Sequence, residues 1–177
     1  EAYVFGDRAG SSAAGAAKRA RVDWEPELVL GAFERIKALR TPPSKHGIKP
    51  MAVQAELQCL MWEGAGPFRT GEKLAAALAR MEQMRRDDLP KVSVSSENLY
   101  NLDLQDRLEL GAMLMAAEAV VGSALARNES RGAHQREDFP TSNESLLKNQ
   151  VTEMNNGGWV THWTSPVRLN RGDGNRG

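Results

Sequence analysis

The segment from Leu102 to Arg127 most constrains the fold of this chain, because it reads as one long helix that is apolar on more than one side. A surface helix carries a single apolar stripe, whereas a helix that is apolar on two faces needs neighbours on both. We therefore expect this segment to be the central helix of a bundle. The apolar positions on its two faces are Leu104, Leu108, Met115 and Ala119, and Leu110, Leu114, Ala117, Val121 and Leu125.

Helical patterns also precede the long helix. The N-terminal stretch, rich in Gly and Ala, predicts a first helix. A second helix is capped by Asp23, with Pro26 in its first turn, where the missing N–H costs nothing. A third begins at Pro50, and Thr70 caps a fourth. The chain is therefore predicted to be mainly α, with the third, fourth and long helices forming an antiparallel, spectrin-repeat-like three-helix bundle.

After Pro140 the pattern changes to short runs with high β propensity. The runs 148–154 and 159–164 flank Asn155-Asn-Gly-Gly158, a turn sequence that favours a two-stranded hairpin. We therefore expect a C-terminal β-hairpin. The residues that share one face of its second strand are Trp159, Thr161 and Trp163.

Composition excludes several classes of function. The chain has 23 Lys and Arg and 23 Asp and Glu, so its net charge gives no reason to expect nucleic acid or an anionic membrane as a partner. The single cysteine, Cys59, excludes an internal disulfide, and its apolar helical context predicts a buried, inert thiol. No run approaches the roughly 18 apolar residues that span a bilayer, and we expect no signal peptide. We expect a soluble chain from a reducing compartment.

Glu118 stands alone within an apolar run, Met115-Ala-Ala-Glu-Ala-Val-Val121. A buried carboxylate must be paired or protonated. We therefore expect an ion pair with an arginine of a neighbouring segment; the alternative is a catalytic acid.

Short motifs do not add a site. Two matches to the glycosylation sequon, at Asn128 and Asn143, and the Arg171-Gly-Asp173 tripeptide lack a secretion signal and are interpreted as chance. No Ser, Cys or Lys has the context of a nucleophile, and no histidine has a second ligand at metal spacing. We predict no catalytic residue and no metal site in this chain. The histidines are His46, His134 and His162.

Directly after the long helix, charge is concentrated around a single glycine, Gly132, in residues 127–140, here called the charged loop. So many charged groups would fix the orientation in which a loop docks against another domain. Gly132 permits a turn within the loop. The loop is therefore a candidate docking element. Its charged or titratable residues are Arg127, Glu129, Arg131, His134, Arg136, Glu137 and Asp138.

The charged loop also resembles a known signature. Its sequence, Asn128-Glu-Ser-Arg-Gly-Ala-His-Gln-Arg-Glu-Asp-Phe-Pro140, is similar to the "R-x-E-S-R-G-A-H-x-R-x-D-(Y/F)-P" motif of the succinate dehydrogenase and fumarate reductase flavoprotein subunits. Three other segments resemble that family in the same order; L-aspartate oxidase and adenylylsulfate reductase share less of the pattern. These segments are Glu1–Gly10 ("E-x-x-V-F-G-x-x-A-G"), Trp62–Thr70 ("G-x-x-R-(T/N)") and, in the long helix, Leu108–Leu110 with Ala116–Arg127.

The resemblance implies an FAD-dependent oxidoreductase of the tricarboxylic acid cycle and electron transport, which interconverts succinate and fumarate and passes electrons to an iron–sulfur subunit. It also implies that the FAD-binding and catalytic residues precede Glu1, so that this chain is a catalytically silent C-terminal third without FAD. Only Glu1 would lie near the flavin. The sequence departs from the family at Leu147-Lys-Asn-Gln150, where "L-K-H-T" is common.

The role that the resemblance leaves to the charged loop is docking on the chain's own FAD-binding domain. Its side chains would bind carboxylates or backbone carbonyls of that domain, and in isolation they would be solvated. The residues expected to dock are Glu129, Ser130, Arg131, Gly132, His134 and Arg136.

Two functions stay open: the C-terminal domain of such a flavoprotein, or a stand-alone helical module that binds a partner flavoprotein. We expect residues 1–22 to be the terminal helix of the FAD-binding domain, 23–140 the helical C-terminal domain, and 141–177 the hairpin and tail. The resemblance further implies a cytoplasmic location, peripheral at the inner face of the membrane in the full complex. The chain alone is expected to form a homo-oligomer through its first helix.

Overall fold

The computed structural model describes residues 2–18, 25–40, 47–97 and 99–166. Within them the chain is mainly helical, with a small antiparallel strand pair towards its C-terminus, as the sequence predicted. It divides into two compact units, Glu1–Leu39 and Arg40–Gly177. The expectations for Glu1, the Asp23 cap, His46 and the Arg171-Gly-Asp173 motif lie outside the described residues.

The first unit contains α1 (Ala2–Ala17) and α2 (Pro26–Leu39). Pro26 is the first residue of α2, which fits the fixed φ and missing N–H of proline. No residue of α2 is buried, and several of its large apolar side chains are exposed. These are Leu28, Val29, Leu30, Phe33 and Ile36.

The second unit contains three long helices: α3 (Pro50–Ala65), α4 (Gly71–Gln83) and α5 (Leu102–Ala126). The predicted cap of α4 is confirmed, because the Thr70 hydroxyl accepts a hydrogen bond from the Lys73 N–H at 3.2 Å. Asn101 caps α5 in the same way. A π turn (Met84–Asp88) and a 3₁₀ turn (Leu89–Lys91) continue the chain beyond α4.

The three helices pack against one another around a shared apolar core. The α5 helix lines this core with side chains from several turns, as its apolar pattern requires. The core residues are Val53, Leu57, Ala65, Leu74, Ala77, Met81, Met84, Val92, Leu110, Leu114, Ala117, Val121 and Ala124.

By length and composition alone, the 25 residues of α5 would suffice to cross a bilayer. The expectation that no run approaches the roughly 18 apolar residues that span a bilayer is therefore wrong by that criterion. A core helix passes the same test, and the apolar character of α5 is explained by the core that it lines with Leu110, Leu114 and Val121.

Cys59 is exposed, so its predicted burial is wrong. The α3 side chains before Cys59 that are buried in the core are those of Val53 and Leu57, and Cys59 follows Leu57 by two positions, on the opposite side of the helix. Glu63, one turn further along, raises the pKa of the Cys59 thiol through a hydrogen bond and its charge.

Two small strand pairs are also present among the described residues. Strand β1 (Phe68–Arg69) pairs in parallel with β2 (Gln135–Arg136). Strands β3 (Asn149–Asn155) and β4 (Gly158–Thr164) form the predicted hairpin, with Gln150 opposite Trp163 and Met154 opposite Trp159. The turn uses positive φ at Asn156 (49°) and Gly157 (82°), which explains the Asn-Gly sequence there.

Candidate functional site

The charged loop is held at one end of the helices of the second unit. The β1–β2 pair joins it to the turn between α3 and α4, with Phe68 opposite Gln135 and Arg69 opposite Arg136. The Glu137 N–H adds a bond of 2.8 Å to the Arg69 carbonyl. The "G-x-x-R-T" turn and the loop, which are far apart in sequence, are therefore adjacent in space.

Glu129 lies at the centre of the loop and is fully buried. Its Oε1 accepts a hydrogen bond from Arg127 Nη1 at 2.5 Å. Its Oε2 accepts from Arg131 Nε at 3.1 Å and from the Asn143 backbone N–H at 2.8 Å. One buried carboxylate therefore fixes two arginines and the segment that leads to the hairpin.

The hydrogen bonds to Glu129 decide its protonation state. Burial alone would raise the pKa of this carboxyl, but the bonds from Arg131, from the Asn143 N–H and from Arg127 outweigh it. The pKa falls to about 2, against 4.5 for an ordinary Glu, so the group is ionised at neutral pH.

Arg136 is also buried, with 2% of its side chain exposed. Its Nη1 donates to the carbonyls of Ala124, at 3.1 Å, and Leu125, at 3.2 Å, which end α5. Cations are favoured at the C-terminus of a helix, where carbonyls lack partners. Arg136 therefore closes the end of the central helix.

Asp138 binds the other side of the same guanidinium and the beginning of α4. It accepts a hydrogen bond from the Gly71 N–H at 2.8 Å, which is the favoured place for an anion. Gly71 permits this approach, since a Cβ there would lie 3.0 Å from both Arg136 Nη2 and Asp138 Oδ2. The Arg136 guanidinium holds the pKa of Asp138 well below its usual range, and the Gly71 N–H lowers it further.

His134 connects the loop to the α3–α4 turn. Arg69 Nη1 lies 3.0 Å from His134 Nδ1, and His134 Nε2 lies 3.1 Å from the Arg127 carbonyl. A guanidinium only donates and a carbonyl only accepts, so the ring is neutral, with its proton on Nε2. Burial lowers the pKa of His134, and the charges of Arg69 and Arg136 add to this effect.

The exposed tip of the loop is a two-residue turn. Arg131 and His134 exchange backbone hydrogen bonds of 2.8 and 3.1 Å across Gly132 and Ala133. Gly132 has φ of +60°, so the prediction that it permits the turn is confirmed. Ser130 holds the base of the turn, because its hydroxyl accepts from the Arg136 N–H at 2.9 Å and donates to the Phe139 carbonyl at 2.8 Å.

The expectation that the loop's side chains are solvated in isolation is wrong. Glu129 and Arg136 are buried, and side chains among the residues predicted to dock bond to one another, to the end of α5 and to Asn143. The acceptors for these arginines are backbone carbonyls and carboxylates of the chain itself, which the sequence pattern does not identify. The tip of the loop is exposed at Gly132 and Ala133, and Gln135 is exposed beside the 68% exposed Phe68. Asn128 and residues 137–140 of the loop are exposed as well.

Glu118 is a second buried carboxylate, outside the loop. The predicted ion pair with an arginine is confirmed: Arg85 Nε donates to Glu118 Oε1 at 2.8 Å. A second donor, Trp159 Nε1, lies 3.1 Å from Glu118 Oε2, and the sequence did not indicate it. With both oxygens bound, the carboxylate has the role of a structural joint between helices and hairpin.

The lining of a cavity between two helices of the second unit does not fit FAD. This cavity, of about 480 Å³, lies between α3 and α5 and has no charged side chain in its lining. A dinucleotide needs donors or a helix N-terminus for its pyrophosphate. The lining residues are Leu57, Gln58, Met61, Trp62, Met113, Ala116, Ala117 and Val120.

Comparison with known proteins supplies the context of this site. The family described as "Fumarate reductase flavoprotein C-term" matches residues 54–172. The fumarate reductase flavoprotein subunit of Mycobacterium tuberculosis is 33% identical over 178 residues, covering 97% of this chain and 30% of that protein. A CoM/CoB fumarate reductase subunit of Methanothermobacter marburgensis is 35% identical over 157 residues, covering 86% of this chain and 28% of that protein.

Solved structures agree with these relatives. A quinol–fumarate reductase with menaquinol molecules superposes with a TM-score of 0.82 at 28% identity, covering 95% of this chain and 30% of that one. A variant of the quinol fumarate reductase of E. coli gives a TM-score of 0.78 at 25% identity, covering 88% and 27%. The chain therefore spans about 30% of the length of the relatives that it matches.

Proposed function

The chain belongs to the family of C-terminal domains of fumarate reductase and succinate dehydrogenase flavoprotein subunits, and from this membership we propose that it works as part of an FAD-dependent enzyme that interconverts succinate and fumarate. In that enzyme FAD carries the electrons of the reaction and an iron–sulfur subunit receives or supplies them. The part of the subunit outside this chain holds FAD and the catalytic residues. The alternative of a stand-alone docking module has no support from these relatives, each of which is matched over one part of a longer subunit.

The proposed contribution of this chain is to dock on the FAD-binding domain through the charged loop. The observation that carries this proposal is the buried Glu129, which fixes Arg127, Arg131 and Asn143 and so gives the loop one rigid shape. A pre-organised surface loses little conformational entropy when it binds. Four of the predicted docking residues hold the shape of the loop from inside it: Glu129, Ser130, His134 and Arg136. The other two, Arg131 and Gly132, reach the contact surface.

The contact surface is proposed to be the tip of the loop with its neighbour on β1. Gly132 and Ala133 present backbone groups, and the exposed Phe68 ring adds apolar area beside Gln135. Aromatic anchors next to backbone donors and acceptors are typical of interface centres.

The wider architecture follows from the same assignment. We propose that α3, α4 and α5 form an antiparallel, spectrin-repeat-like bundle, that residues 1–22 end the FAD-binding domain, and that 23–140 and 141–177 are the helical domain and the hairpin with its tail. The complex is proposed to be cytoplasmic and peripheral at the inner membrane face. The chain alone is proposed to self-associate, since Tyr3 and Phe5 of α1 are exposed by 91% and 65%.

A chimera tests the proposed function. The C-terminal 30% of the Mycobacterium tuberculosis relative is replaced by this chain, and the purified protein is assayed for bound FAD and for fumarate reduction with a reduced dye. Retained FAD and turnover within about tenfold of the parent are expected. A folded chimera that reduces no fumarate would refute the assignment.

Two matched variants of the chimera test the docking surface. Ala133→Arg places a long charged side chain at the tip of the loop, and Ala79→Arg places the same side chain at a position of α4 outside the buried core. The first should lower FAD retention and activity at least tenfold, because a bulky cation there separates the domains. Ala79→Arg should leave FAD retention and activity unchanged. Equal losses in the two variants would show that the tip of the loop is not the docking surface.

A further inference from the structure

The β3–β4 hairpin is joined to α5 by polar contacts at three levels. Trp159 Nε1 donates to Glu118 Oε2 at 3.1 Å. In the middle, the hydroxyls of Ser123 and Thr152 lie 2.8 Å apart. At the third level, the guanidinium of Arg127 lies 4.7 Å from the centre of the Trp163 ring, and its Nη2 donates to the Lys148 carbonyl at 2.9 Å.

The spacing of these contacts is the same on both elements. Glu118 lies on α5 and Arg127 directly follows its last residue, nine residues further along the chain, which at 1.5 Å per residue is about 13 Å. Trp159 and Trp163 are four residues apart on β4, which at about 3.3 Å per residue is also about 13 Å. One face of β4 therefore runs alongside α5, in the same direction, and the two tryptophans fix its register.

The hairpin adds nothing to the apolar core. No residue of β3 or β4 is buried, and the core cluster contains none of them. A cavity of about 250 Å³ remains between the hairpin and the helices, with Gly122 in its wall, where an added Cβ would meet nothing within 4 Å. An isolated two-stranded hairpin is marginally stable, so this one depends on its polar contacts with α5.

The two ends of the hairpin are held unequally. At the end next to the charged loop, Arg127 contacts the Trp163 ring and donates to the carbonyls of Leu146, at 3.2 Å, and Lys148. At the turn end, the side-chain hydrogen bond to the helices is the one from Trp159 to Glu118. When this bond opens, Glu118 keeps its partner Arg85, 40% of whose side chain is exposed, so no unpaired buried charge results.

We propose that the hairpin is a strap that opens from the helices as a unit, released at the Glu118 end and retained at the Arg127 end, while the core of α3, α4 and α5 stays folded. The opening uncovers the polar cavity and the face of α5 that carries Glu118, Gly122 and Ser123. Such partial openings cost less free energy than global unfolding. This proposal does not depend on the proposed function.

Native-state hydrogen exchange of the full chain tests it. Amides of β3 and β4 should exchange at least tenfold faster than those of the buried turns of α5 around Leu114. Equal rates in the two regions would overturn the proposal, because the hairpin would then open only with global unfolding.

Two conservative variants locate the point of release. Trp159→Phe keeps an aromatic ring but removes the donor to Glu118, and should accelerate exchange in the hairpin about tenfold without changing α5, as expected for one hydrogen bond to a charged group. Trp163→Phe keeps a ring for Arg127 and should change hairpin exchange less than about threefold. A larger acceleration of hairpin exchange by Trp163→Phe than by Trp159→Phe would contradict release at Glu118. So would an equal acceleration of amide exchange in α5 and in the hairpin.

Discussion

Arg136 and Asp138 bind each other through two parallel hydrogen bonds, of 2.7 and 2.8 Å, while each also occupies the pole of a different helix. The guanidinium meets the last carbonyls of α5, and the carboxylate meets the first N–H of α4, at Gly71. Each charge therefore has the sign that its helix end favours. The pair joins the two helices without leaving a buried charge uncompensated.

Replacing Arg136 by Gln should lower the free energy of unfolding by about 3 kcal/mol, because it leaves the α5 carbonyls and Asp138 without their shared donor. Urea unfolding of the full chain measures this. Arg86→Gln is the control: its side chain is 69% exposed and pairs with the neighbouring Asp87, so a change within about 0.5 kcal/mol is expected. Similar losses in both variants would show that burial of Arg136 does not matter.

Acid should destabilise the chain through Glu129. The pKa of this group is about 2 in the folded state, against the 4.5 of an ordinary Glu that applies to the unfolded state. The stability that the group contributes is therefore fully present above about pH 4.5 and is lost as the pH falls towards 2. Urea unfolding between pH 7 and 2 measures this slope. Glu129→Gln should flatten it in that window, whereas Glu144→Gln, at a side chain that is 82% exposed, should not. An unchanged slope in Glu129→Gln would contradict the assignment.

Two glycines in helices should respond to alanine with opposite signs. At Gly64 in α3, an added Cβ would lie 2.7 Å from the Cβ of Ala77 in α4, so Gly64→Ala should cost about 1–3 kcal/mol by overpacking. At Gly122 in α5, the added Cβ meets nothing within 4 Å, so Gly122→Ala should gain about 0.5–1 kcal/mol from helix propensity. Thermal unfolding of both variants measures the difference. A stabilised Gly64→Ala would show that α3 and α4 separate easily.

Local patterns predicted the elements of this fold well. The Thr70 cap, the two-sided apolar character of α5 and the Asn-Gly turn of the hairpin each depend on residues close together in the chain. Element ends shifted slightly, as with the first strand of the hairpin, which was expected over 148–154 and is observed as β3 over Asn149–Asn155. Such patterns predict which segments are helical and which face of β4 packs against α5.

Pairings between distant residues were predicted less well. That Glu118 needs an arginine follows from its apolar neighbours, but the choice of Arg85, and the second donor Trp159, depend on how α4 and the hairpin pack on α5. For the same reason the charged loop was expected to be solvated, although Arg136 finds its acceptors at the end of α5. The sequence locates the charges, and the tertiary packing decides which of them meet.

Arg127 is bonded both to Glu129 inside the charged loop and to the carbonyls of Leu146 and Lys148 at the start of the hairpin. One guanidinium with two sets of acceptors makes these regions thermodynamically coupled. If binding at the charged loop changes the free energy of hairpin opening, then hairpin opening changes the free energy of that binding by the same amount, since coupling between two sites is reciprocal. A protein that binds the tip of the loop would in this way also change the stability of the hairpin's contact with Arg127.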